Sequence, residues 1–326
     1  MPQGKTAHCG IADNSSMSET HHLIISYAAT QEPGCLQALA QLQLPHLSKL
    51  MQSWQVIGTD RGEAESFAPP HERILAQALQ LPVQATPWAA LHLLEQGRSP
   101  AQQAHAFITP CVWSIAPDQV RMGDLAAAQM SDEESHTLME LLAPWFAEDG
   151  ITLTHDRPGR WIAQGEVFRG LDTAALDRVA LRDIRPWLPD KAQAAVLQRL
   201  QTEAQMLLYT HGFNDAREAA GQSPINSFWV HGAGALPADY RPPAHMPVLR
   251  HDLRAAALAS DWTAWQQAWQ QLDATVLAHA AHQGPMQLTL CGECHAVTLH
   301  NADRGWWQQI KQRFSSQRPQ DLLTTL

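Results

Sequence analysis

The run His22–Ala29, HLIISYAA, is short and apolar on nearly every residue, and it constrains the fold more than any other stretch. A strand that alternates can leave one face in water, whereas one apolar on both faces needs a covering layer on each side. INSFWV (225–230) and MQLTL (286–290) repeat that character, and FITPCVWSI (107–115) reads as a strand closed by a turn at Pro117-Asp118. Between these runs lie amphipathic segments with helix spacing. Leu36, Leu39 and Leu42, then Leu47, Leu50 and Met51, flank Pro45; Pro69-Pro70 opens HERILAQALQL, with proline where a first turn tolerates it; Trp88–Gln96 stops at Gly97.

The middle of the chain has a different texture. Ser131 and Glu134 spell a capping box ahead of Leu138, Leu141, Leu142 and Trp145. ITLTHD and RWIAQGE flank Arg157-Pro158-Gly159 as a hairpin, Asp190 caps a long helix bearing Leu197, Leu200, Ala204 and Leu207, and Asn214 is read as the cap of a short helix ending at Gly221. Asp261 then starts a helix with Trp262, Trp265, Trp269, Leu272 and Val276 on one stripe, and Arg304–Phe314 reads as a closing helix. Gly58–Ala68 reads as a loop. The expectation is an α/β protein: one domain from 21–130 and 224–326, an inserted helix-and-hairpin α+β domain at 131–223, and a flexible polar tail at 1–20 in which Met17 is a candidate start.

Charge and cysteine usage exclude several classes. The net charge is −10 with 22 scattered Lys and Arg, which argues against nucleic acid as a partner, since phosphate neutralisation needs clustered cations. No apolar run reaches spanning length and the first twenty residues lack a signal-peptide core, so a cytoplasmic protein with no membrane partner is expected. Cys9, Cys35, Cys111, Cys291 and Cys294 are odd in number and mostly far apart, the usage of reduced thiols. Cys291–His295 spells C-x-x-C-H, the attachment pattern for c-type haem, but it falls between two strand-like runs and no export segment accompanies it; no cofactor is expected.

Seventeen histidines invite a metal, yet there is neither H-E-x-x-H nor H-x-H, and no metal site is expected. No G-x-S-x-G elbow is present, and Cys111 lies in a strand-like run where inert cysteine is common. The candidate ligand contacts are Asn226, Trp229, His231, Gly232 and Gly234, a buried strand running into a glycine loop whose amides can approach an anion. An asparagine there must be hydrogen-bonded, so Asn226 is either a structural linchpin or a ligand contact.

LLYTHGFNDAREAAGQSPINSFWVHGAGALP (207–237), with PPHERILAQALQLP, ITPCVWSIAPDQV and QLTLCGE, resembles a proteobacterial family of RpfE-type regulators, also described as phosphoglycerate-mutase-like. More distantly, INSFWVHGAG and LPHLSKL resemble the archaeal-type, cofactor-independent phosphoglycerate mutases. That likeness implies an alkaline-phosphatase-like three-layer fold, with 131–223 as the inserted substrate domain. It also implies a two-metal centre with a Ser or Thr nucleophile. Its positions are occupied otherwise here. The first strand ends Ser26-Tyr27 where Asp-Gly belongs; Pro69, Pro70, His71 and Glu72 stand where the nucleophile helix opens; Gly292, Glu293 and Cys294 replace Gly-Asp-His. The expectation is a catalytically degenerate relative acting as a binding or regulatory protein, with a small anionic metabolite or a protein as partner. The alternative is a phosphotransferase or mutase with an atypical site built from Glu293, His295, His71 and Glu72.

Overall fold

A computed structural model describes residues 21–126, 128–280, 286–301 and 318–326. The tail 1–20, Cys9 and the expected helix 304–314 lie outside the described residues.

The run His22–Ala29 supplies β1 (His21–Ile25), the inner strand of a mixed five-stranded sheet. It pairs in parallel with β10 (Met286–Cys291) on one side and β9 (Val248–Arg250) on the other. β10 turns into antiparallel β11 (His295–His300), and β2 (Gln55–Arg61) closes that edge, so 58–61 are strand rather than loop. Leu23 and Ile25 face a core formed with α1 (Pro33–Gln41), α2 (Pro45–Ser53) and α10 (Trp262–Leu272). Ile24 faces the other way, onto Ile74 of α3 (Pro70–Ala78). Both faces of β1 are covered, as its composition requires.

The tryptophan stripe of α10 is core with a second task. Trp265 and Trp269 are fully buried, and their indole N–H groups donate to the carbonyls of Tyr27 and Ala28 at 2.9 and 3.0 Å. They fasten the turn after β1, where Tyr27 holds a left-handed φ of 57°, a conformation that costs a bulky side chain free energy unless its surroundings impose it.

The second sheet is antiparallel: β6 (Thr152–Arg157), β7 (Arg160–Gln164), β3 (His105–Cys111) and β8 (Ser227–Gly234), in that order. α5 (Asp132–Glu148) and α7 (Lys191–Thr210) cover one face, and α4 (Trp88–Glu95) the other. The expected boundaries at 130/131 and 223/224 therefore cut through this sheet, because β3 and β8 hydrogen-bond with the hairpin between them. A small ribbon of β4 (Trp113–Ile115) and β5 (Val120–Met122) flanks it. The capping box at Ser131 and the Asp190 and Asp261 caps are formed; His211, not Asn214, caps α8 (Gly212–Ala219). Asn214 instead ties Ile225 to that helix through both ends of its amide. Among the described residues no helix is long and apolar enough to cross a membrane, and Cys35, Cys111, Cys291 and Cys294 are free thiols.

Candidate functional site

The three segments expected to have carried the metals and nucleophile do converge. Tyr27 follows β1, His71 and Glu72 sit in the first turn of α3, and Glu293-Cys294 form the turn between β10 and β11. Tyr27 and His71 lie with ring centroids 5.8 Å apart. What joins them is a set of arginines. Arg178, buried on α6 (Leu176–Val179), donates to the Glu293 carbonyl at 3.1 Å and the Ala68 carbonyl at 3.4 Å. Arg73 donates to the Cys294 carbonyl at 2.7 Å and pairs with Asp60. Arg182 pairs with Glu293 at 2.8 Å, and Arg254, on α9 (Arg254–Leu258), pairs with Asp177.

Asp177 is the hub. Its second oxygen lies 3.4 Å from His71 Nε2, without hydrogen-bond geometry; Asp177 Oδ2 and, on the other side of the imidazole ring, His71 Nδ1 are buried without a hydrogen bond among the described residues. Burial pushes the His71 imidazole down to about 3, against the pull of Asp177. Asp177 loses water too, but the Arg254 hydrogen bond and neighbouring positive charge hold its carboxyl below the usual range. Glu72, half-buried and accepting a 3.1 Å bond from Trp88, is pushed up to about 8 by loss of water and then by the charge of Asp177. His251 closes the rim, edge-on to His71 at 5.5 Å and sharing a 3.0 Å hydrogen bond with buried Ser26.

A two-metal centre needs several unengaged carboxylates and imidazoles. Here the carboxylates of Asp177 and Glu293 already answer to arginine, and among the described residues no three donors of this centre converge on a point. The donor set does not fit two divalent ions.

The candidate ligand strand divides. Asn226 precedes β8 and spends its amide on Trp113, accepting from its N–H at 2.7 Å and donating to its carbonyl at 2.8 Å. Trp229 is buried and donates to the Ala174 carbonyl at 2.9 Å. Gly232 and Gly234 are not a loop; they end β8 itself, because a side chain at Gly232 (φ 61°) would meet Trp88, and one at Gly234 would meet Pro87. These glycines admit α4 against the sheet. His231 opens onto a larger space.

That space is a cavity of about 500 Å³ between the second sheet and α9, lined by Thr109, Arg157, Arg160, Leu176, His231 and Arg254, among others. Among the described residues no carboxylate lines it. Arg160 is held by Asp156 at 2.6 Å and lies 4.4 Å over the Phe107 ring. Arg157 makes no side-chain hydrogen bond or ion pair among the described residues, and burial together with Arg160 draws its pKa down. His231 bonds Thr109 at 3.0 Å, and burial, then Arg160, pushes it down to about 3. Arginines from the β6–β7 hairpin and from α9 thus face one hollow, where a positive field favours an anion. Arg157, Arg160 and Arg254 escaped the sequence reading. Two of them flank a Pro-Gly turn, where charge usually points into water.

No known protein family matches the chain, and no curated protein sequence does. Among solved structures it is similar to the PH0037 protein from Pyrococcus horikoshii, at 12% identity over 90% of this chain and 92% of that one, with a TM-score of 0.45. It is also similar to the cofactor-independent phosphoglycerate mutase from Thermoplasma acidophilum DSM 1728, at 14% identity over 87% and 90%, with a TM-score of 0.36. The resemblance is distant and assigns no family. The RpfE-type likeness has no counterpart in these comparisons.

Proposed function

We propose that this protein is a binding or regulatory protein for a small anion carrying two acidic groups, such as a phosphorylated carboxylic acid, and that it lacks mutase chemistry. The observation that carries the reading is the cavity lined by Arg157, Arg160, Arg254 and His231 with no carboxylate among the described residues of its wall. Guanidinium forks suit phosphate and carboxylate oxygens. Because Arg157 and Arg160 come from the β6–β7 hairpin and Arg254 from α9, an occupant with two acidic ends bridges that hairpin and that helix. Loss of chemistry is supported by the arginine-paired donors at the old centre. Calorimetric titration with 3-phosphoglycerate, glycerol 3-phosphate and inorganic phosphate tests it. Saturable binding of one equivalent that weakens steeply with salt is expected, without turnover. Absence of binding by all three overturns the reading.

A second reading, an atypical phosphotransferase, is favoured by the orphaned His71 Nδ1 and Asp177 Oδ2 and by the raised Glu72 carboxyl, since perturbed groups gather at active sites. Phosphatase turnover abolished by Glu72→Gln would establish it.

A further inference from the structure

Away from both charged regions, Asp132 and His136 stand one turn apart on α5, and His155 of β6 reaches them from the adjoining hairpin. Asp132 Oδ2 lies 3.5 Å from His136 Nδ1, and Asp132 Oδ1 lies 3.6 Å from His155 Nε2. The two imidazoles stack with centroids 3.8 Å apart and planes 22° from parallel. One donor atom from each residue falls within 4.8 Å of the others. Tetrahedral zinc with bonds of about 2.0–2.1 Å sets its ligand atoms roughly 3.3 Å apart, close to the two Asp–His separations; to ligate, the His136 ring turns out of the stack and gives up its 2.8 Å Nδ1 bond to the Asp132 carbonyl, and His155 Nε2 gives up its 3.2 Å bond to Ser135 Oγ.

The surroundings hold this arrangement in place. Ser135 Oγ accepts from Trp161 Nε1 at 3.0 Å and from the Gly159 N–H at 3.2 Å, clamping the hairpin to α5. The reciprocal Ser131–Glu134 cap fixes the start of the helix, and buried Arg217 holds Glu134 at 2.9 Å. Asp132 and His136 are 68% and 44% exposed and His155 14%, so an ion has access from water and two ligands can adjust. The helix start disfavours a cation, and the Asp132 carboxylate opposes that field.

We propose that Asp132, His136 and His155 form a mononuclear site for a divalent transition metal of the zinc class, with a fourth position left to water. The site staples the first turn of α5 to the β6–β7 hairpin. Full-length, tag-free protein stripped with chelator and titrated with Co²⁺ tests it. Visible bands of a four-coordinate ion should saturate at one equivalent and be displaced by one equivalent of Zn²⁺. With 17 histidines in the chain, background binding is controlled by His279→Ala, an exposed histidine elsewhere, which should leave the titration unchanged. His136→Gln and Asp132→Asn, both at exposed positions of the helix, should each weaken binding at least tenfold while the far-ultraviolet circular dichroism is retained. No saturable site in the parent protein, or the same affinity in His136→Gln, overturns the proposal.

Discussion

Under α3, Arg73, Arg178, Arg182 and Arg254 each end on a protein oxygen, whereas in the cavity Arg157 has no side-chain partner among the described residues and Arg160 lines the hollow. The first region is a closed ionic knot and the second an open basic surface. Cations are present in both; only their satisfaction differs. A guanidinium that ends on a protein oxygen holds structure, even where Asp177 Oδ2, His71 Nδ1 and Arg178 Nε stay without a hydrogen bond, and one left open beside a hollow can hold a ligand. Arg254 belongs to both regions, since it pairs with Asp177 and also lines the cavity.

The largest expected effect lies in the knot. Asp177→Ala leaves Arg254 and His71 without their carboxylate and should destabilise the protein by about 3 kcal/mol, toward the low end for a broken buried pair because Arg254 keeps some access to water. Urea unfolding measures it. If the variant is instead as stable as its parent or more so, the knot is a strained active centre and the contrast between the two regions fails.

Next come the residues that link the sheets. Asn226→Ala removes two hydrogen bonds to Trp113, and Trp229→Phe removes the donor to Ala174. Each should cost about 1–3 kcal/mol, with anion affinity unchanged in the folded fraction. A loss of affinity with stability intact would return these residues to the ligand.

A smaller effect is pH. The folded protein keeps the Glu72 proton up to about 8, while an unfolded glutamate releases it near 4.5. That contribution is complete below 4.5 and is lost as pH rises through 8. His71 and His231 behave oppositely, since both are held near 3 against 6.5 unfolded. Their contribution is complete above 6.5 and is lost as pH falls toward 3. Thermal midpoints between pH 4 and 9 should therefore form a dome, and Glu72→Gln should flatten its fall above 6.5 and steepen its rise below, each by at most about 1.4 kcal/mol per pH unit. An unchanged alkaline limb would show that Glu72 is ionised in the folded state.

The sequence carried the strands and most helix starts, because apolar runs and capping residues are local signals. It did not carry partnership between sheets. β3 and β8 are buried on both faces, and such runs look alike in either sheet, so nothing local marks them as members of a second, antiparallel sheet. β2 escaped because it is an edge strand that exposes Val56 and Ile57 and shows no alternation. Convergence of Tyr27, Pro70, His71, Glu72, Glu293 and Cys294 was legible only through resemblance. Asp177 and Arg178 carry no local mark at all: Asp177 meets Arg254 77 residues away, and Arg178 meets Glu293 115 residues away. The Asp132–His136 spacing was visible as one helical turn, but its third member waits on the hairpin fold.

The most direct test of the contrast is one calorimetric titration of 3-phosphoglycerate into the parent protein and Arg157→Ala, run beside urea unfolding of both. Arg157 makes no side-chain hydrogen bond or ion pair among the described residues, so its removal should leave stability within about 0.5 kcal/mol while weakening the anion at least tenfold. Equal affinity in the two proteins would contradict the assignment of the cavity as the binding site.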